Sequence, residues 1–141
     1  DHGTVTGGKH HLVEGGIHLP AIIRGPGMQQ AAVFDDLVDI ADLYPTICEL
    51  TKVPVPAADS IDGISCAPRL KGESSTPARN FVTAAFRNDD CVFDGGWRLH
   101  SEGKVLYDCR NLPDEVIVET ETDESKTARA KLLKIRESIK R

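Results

Sequence analysis

Residues 81–110 read FVTAAFRNDDCVFDGGWRLHSEGKVLYDCR, and the fold of the C-terminal half depends on them. β-Branched and aromatic residues recur there between turn formers. FVTAAFR (81–87), CVFDGGWRLHSEG (91–103) and KVLYDCR (104–110) therefore read as three strands, the last two joined as a hairpin at Ser101-Glu102-Gly103. Trp97 and Leu99 on one strand, and Val105, Tyr107 and Cys109 on the next, alternate onto common faces. Downstream, Ala128, Leu132, Ile135 and Ile139 fall on one helical stripe that could cover such a sheet. The acids from Asp114 to Glu124 and the bases from Lys126 to Arg141 match the dipole of that helix, acids before it and bases toward its end.

Moving toward the N-terminus, residues 53–79 (VPVPAADSIDGISCAPRLKGESSTPAR) are rich in proline, glycine and serine. They read as an irregular connection with one helical turn around Cys66 to Leu70 and a boundary near residue 80. Before them, Leu37, Ile40, Ala41, Tyr44, Ile47 and Cys48 keep helical spacing, but Pro45 forbids an uninterrupted helix interior. With Asp42 as N-cap, Pro45 falls in the first turn, where its missing N–H costs little, and the helix should end by Lys52. Ala21 to Arg24, bracketed by Pro20 and Gly25-Pro26-Gly27, reads as a short buried strand. The sequence shows no internal repeat.

The composition is that of a folded domain: 141 residues, 40% of them apolar. Twenty-two acids against 17 bases give a net charge of −5, which argues against a generic nucleic-acid binder. No apolar run approaches the roughly 20 residues that cross a bilayer. Cys48, Cys66, Cys91 and Cys109 include no C-x-x-C pair, so a structural zinc site is not expected, and disulfide pairing stays open.

The chemistry concentrates in residues 1–27, DHGTVTGGKHHLVEGGIHLPAIIRGPG. Carboxylate and imidazole at Asp1-His2 can both donate to a dication, and Gly3 permits a sharp turn beside them. Lys9 offers a compact charge suited to a tetrahedral oxyanion, and Gly7-Gly8 let the backbone carry it close. Glu14-Gly15-Gly16 forms a second tight turn.

These residues resemble the sulfatases of the alkaline phosphatase superfamily. The shared pieces are Asp1-His2-Gly3, Gly8-Lys9, Glu14-Gly15-Gly16-Ile17, Leu19-Pro20 and Gly25-Pro26-Gly27, in the family's order. Further on, DLYPTICELTKVPVP (42–56) resembles an Asp-x-x-Pro-Thr helix, DGISCAPRLKG (62–72) an Asp-Gly-x-Ser segment, and GGWRLHSEGKVLYDCRNLPDE (95–115) the Trp-Arg/Lys-Leu and Leu-Tyr-Asp strands of the small subdomain.

The resemblance implies an α/β fold: the C-terminal part of an alkaline-phosphatase-like sandwich over 1–79, then a small antiparallel sheet packed with a C-terminal helix over 80–141. It implies Asp1 and His2 as ligands of a divalent cation, usually calcium, although imidazole at position 2 suits zinc or manganese better. Lys9 would be the catalytic residue that holds a sulfate oxygen and the charge developing in the transition state. His10, His11 and His18 match no defining position; each reads as a surface or supporting imidazole, with His10 and His11 able to reach a substrate. The substrate class would be a sulfated small molecule or carbohydrate, and the compartment periplasmic, lysosomal or secreted.

Sulfatases also need a formylglycine made from the Cys or Ser of a Cys/Ser-x-Pro-x-Arg motif, placed well upstream of the Asp-His-Gly loop. Ser75-Thr76-Pro77-Ala78-Arg79 fits the pattern but sits in the connection, so it reads as coincidence, and Cys66-Ala67-Pro68-Arg69 has its arginine one residue early. The expectation is a C-terminal portion whose partner is the N-terminal half of the same enzyme, inactive alone. The alternatives are a metal-dependent phosphodiesterase or phosphonate monoester hydrolase of the same superfamily, and a noncatalytic interaction fragment.

Overall fold

The structure is a computed structural model, and it describes residues 8, 11–55, 61–100 and 103–139. Two compact units form. One comprises Ala21–Val82; the other joins the described residues up to Pro20 to those from Thr83 onward.

In the second unit a sheet runs in the order β1 (Val82–Phe86), β2 (Asp89–Phe93), β3 (Trp97–His100), β4 (Val105–Asn111) and β5 (Asp114–Ile117), antiparallel from β2 to β5. The stretch 91–103, read from sequence as one strand, is two. Asp94 Oδ1 accepts the N–H groups of Gly96 (3.1 Å) and Trp97 (2.9 Å), and Gly95 takes φ +92°, so Asp-Gly-Gly folds the chain into a hairpin there. Asp114 and Glu115, read as part of the acidic approach to a helix, instead lie in β5, which closes on β4 with Asn111 opposite Asp114. Only Asp123 and Glu124 lie in the first turn of the expected C-terminal helix, which spans Asp123–Ile139.

Register assigns the faces. Val92 pairs Leu99, and Leu99 pairs Leu106, so these share a face with Asp90, Asp94 and Trp97. The C-terminal helix lies on that face, with Lys131 Nζ 2.6 Å from Asp94 and Arg136 Nε 2.5 Å from Asp90. Leu132 is fully buried and Ala128 nearly so, whereas Ile139 at the end of the expected stripe is exposed. Val105, Tyr107 and Cys109 take the opposite face with Cys91, Phe93, Arg98 and His100. A short helix, α1 (Glu14–Ile17), meets that second face through Arg98. With both faces covered, all four residues of Trp97–His100 are buried, polar and apolar alike.

The unit Ala21–Val82 is built around α2 (Leu43–Thr51) and α3 (Ala67–Lys71), the latter matching the expected turn around Cys66 to Leu70. Asp42 is the N-cap of α2 and Pro45 sits in its first turn, as expected; Lys52 ends it in the left-handed conformation at φ +59°. A 3₁₀ turn, Ile40–Asp42, leads in through a capping box formed by Asp39 and Asp42. The expected buried strand at Ala21–Arg24 does not form. A strand needs a ladder partner, none of the described residues 21–81 is in a strand, and Ile22 is 97% exposed.

Candidate functional site

The described residues nearest in sequence to the predicted site centre on Glu14. Val13–Ile17 turns tightly, and the turn depends on Gly16: a Cβ there would lie 2.0 Å from the His11 carbonyl oxygen and 2.9 Å from that of Gly8. His11 N–H in turn donates to the Gly8 carbonyl at 3.2 Å. The Glu-Gly-Gly turn thus packs closely against the backbone of Gly8 and His11.

Glu14 is itself locked by the sheet. Arg98, 1% exposed on β3, donates through Nη2 to Glu14 Oε2 at 3.1 Å and through Nη1 to Glu115 Oε1. Glu115 Oε2 accepts the backbone N–H of Glu14 at 2.8 Å, and His18 Nδ1 pairs with Glu14 Oε1. Each of the four carboxylate oxygens has a donor. One planar guanidinium bridges two carboxylates in the geometry that favours arginine over lysine. Its Nε finds no partner among the described residues, but its Cζ lies 4.6 Å from the centre of the Phe93 ring. Cys109 Sγ lies 3.7 Å from Glu115 Oε1, and burial pushes its thiol up to about 11.

Within Ala21–Val82 the Asp-x-x-Pro-Thr helix organises a separate polar core. Fully buried Asp42 accepts from Asp39 N–H (2.8 Å), Ile64 N–H (2.7 Å) and Arg79 Nε (2.7 Å). Thr46 Oγ1 donates to the Asp42 carbonyl (2.6 Å) and accepts from Cys66 N–H (2.9 Å). Gly63 is needed for this closure, because a Cβ would sit 2.1 Å from the Ala41 carbonyl oxygen. Arg79, the arginine of the formylglycine-like Ser75–Arg79 match, is therefore committed to Asp42.

Of the sequence-predicted site, Asp1, His2, Lys9 and His10 lie outside the described residues. His11 is exposed, and His18 is 67% exposed beside Glu14. All four cysteines are free and buried. A cavity of about 190 Å³ is lined in part by Cys91, Asp90 and Arg136, and burial pushes the Cys91 thiol up to about 11, away from the reactive thiolate. Among the described residues no group of three or more His, Cys, Asp or Glu could hold a metal ion. Sequence reasoning missed the roles of Arg98 and Glu115. Both belong to quoted motifs, but nothing in the spacing joins them to Glu14, 84 residues from Arg98.

No family model matches the chain. Curated relatives do. It is 36% identical to human steryl-sulfatase over 81 residues, which covers 57% of this chain and 14% of that protein. It is 27% identical to Xenopus laevis arylsulfatase K over 127 residues (77% and 23%) and 32% identical to a Bacteroides thetaiotaomicron delta 4,5-hexuronate-2-O-sulfatase over 113 (70% and 23%). A Bacteroides thetaiotaomicron crystal structure assigned as a sulfatase superposes with a TM-score of 0.60 at 26% identity, covering 82% of this chain and 28% of that one. The chain belongs to the sulfatase family. It spans between 14% and 28% of the length of these relatives. Within this sulfatase-family chain, Glu14 of Glu-Gly-Gly and Arg98 of Trp-Arg-Leu meet as an ion pair. Among the described residues no helix is long and apolar enough to cross a membrane.

Proposed function

We propose that the chain is part of a sulfuric ester hydrolase acting on a sulfated small molecule or carbohydrate. Lys9 binds a sulfate oxygen and balances charge as the S–O bond breaks, with His10 and His11 lining the substrate side. Asp1 and His2 supply a carboxylate oxygen and an imidazole nitrogen to a divalent cation. A bound cation of this kind stabilises oxyanions; calcium follows the family, while the nitrogen donor favours zinc or manganese. The formylglycine nucleophile comes from residues outside these 141, so the chain alone has no turnover. Residues 1–79 would belong to the catalytic α/β domain and 80–141 to its small subdomain. A periplasmic, lysosomal or secreted setting is part of this reading.

The observation that supports it best is the fixing of the Glu-Gly-Gly turn, with Gly16 packed closely against Gly8 and His11, which are hydrogen-bonded to each other and flank the proposed anion-binding lysine in sequence. The exposed apolar side chains of Ile22, Val33 and Ile40 suit a larger catalytic domain packing over Ala21–Val82.

The deciding experiment compares the full-length protein on 4-nitrophenyl sulfate and bis(4-nitrophenyl) phosphate, with and without chelator. Sulfate hydrolysis that EDTA abolishes is the expected result. Because His2 also suits a zinc or manganese phosphodiesterase, preference for the phosphodiester would replace the first reading with that second one.

A further inference from the structure

From the Glu14–Arg98–Glu115 network we infer that Arg98, on the small C-terminal sheet, is a positioning residue for turnover, acting through the Glu14 turn, against which Gly8 and His11, the described residues that flank Lys9 in sequence, are packed. This rests on the sulfate-hydrolase reading above.

The geometry makes the network a link and not a generic core contact. The Arg98 guanidinium has one carboxylate from the sheet, Glu115, and one from the N-terminal turn, Glu14. Glu115 returns to the same turn through the Glu14 backbone N–H at 2.8 Å. Both the side chain and the main chain of Glu14 are therefore tied to the sheet. Gly16, two residues on, packs so closely against the carbonyl groups of His11 and Gly8 that a Cβ there would lie 2.0 and 2.9 Å from their oxygens. Lys9 lies between those two residues in sequence. A binding group displaced by about 1 Å can cost roughly a hundredfold in rate. A buried ion pair replaced by apolar packing is often no less stable, so stability alone does not explain a charge network at this position.

The test uses the full-length enzyme with 4-nitrophenyl sulfate. Glu14→Gln keeps the shape and one acceptor oxygen but loses the charge, and leaves Glu115 as counter-ion to Arg98. Arg98→Lys keeps the charge but cannot span both carboxylates. Each is expected to lower kcat about ten- to hundredfold with KM within about threefold, normalised to folded protein by circular dichroism. The double variant should be no worse than the worse single one, since both act through one contact. Wild-type kcat and KM in Glu14→Gln, or a loss that only follows the lost folded fraction, would overturn the proposal; if Arg98→Lys fails to fold, Glu14→Gln decides alone. Lys9→Ala is the separate control. Full activity there removes the hydrolase reading itself, whereas its collapse beside an unaffected Glu14→Gln removes only the positioning role.

Discussion

The imidazole of His100 lies 6% exposed on β3, with Nδ1 3.8 Å from Asp89 and Nε2 without a partner among the described residues. Burial holds its pKa below the usual 6.5, and nearby Asp89 offsets this only in part. The lowered value means that, just below pH 6.5, the unfolded chain binds a proton that the native imidazole refuses. The native state is thus favoured above pH 6.5 and loses this contribution as pH falls, until the buried ring is protonated as well. NMR titration should find His100 below 6.5, and the acid side of the urea-unfolding profile should flatten in His100→Gln. An unchanged slope in that variant would assign the pH dependence elsewhere. The cysteines make a second residue-scale prediction. With Cys91 and Cys109 raised to about 11 by burial, native protein at pH 8 should react with Ellman's reagent far more slowly than the same protein in urea, where all four thiols should be labelled. Rapid labelling of two or more thiols in the native state would contradict the burial.

At the level of elements, α2 depends on Asp42 more than on its apolar stripe. Of the residues whose spacing revealed the helix, Ile40, Tyr44 and Ile47 are all more than half exposed and Cys48 is buried, alongside Asp42 and Thr46. Asp42→Asn leaves the Arg79 guanidinium, 10% exposed, without its charge partner. The expected cost is about 3–5 kcal/mol by urea denaturation, against about 1–3 kcal/mol for Thr46→Val, which only removes hydrogen bonds. Equal costs would mean that the charge at Asp42 is not what holds the segment. The same helix shows what was legible. Its start, its proline and its end are set by neighbours within a few residues, as are the turn at Cys66 and the C-terminal helix. The Asp94-Gly95-Gly96 hairpin was equally local, and the stretch was read as one strand because strand formers flank it on both sides. Ala21–Arg24 failed for the opposite reason, since a strand is defined by a partner elsewhere. The Arg98 network could not be read at all: within an alternating strand, arginine looks like the solvent side, and only the return of the N-terminal turn onto that face buries it.

On the scale of the whole molecule, the apolar surface of Ala21–Val82 offers a test of the proposal that the chain is part of a longer sulfuric ester hydrolase. Ile22 (97% exposed), Val33 (88%) and Ile40 (81%) are large apolar side chains left in water. Covering each would contribute about 1.5–3 kcal/mol, enough to drive self-association of the 141-residue chain and binding of a hydrophobic dye. The same substitutions should therefore act with opposite sign in the two settings. Ile22→Lys with Ile40→Lys should raise the solubility of the 141-residue chain and reduce its dye binding, because no contact of its own is lost. In the full-length protein the pair should lower the unfolding temperature and the yield of soluble enzyme, because charges would be driven into an apolar interface. Sedimentation and dye fluorescence measure the first effect, thermal denaturation the second. If lysines at both positions leave the full-length protein as stable as before, the catalytic domain does not pack on this surface, and the apolar side chains are exposed there too.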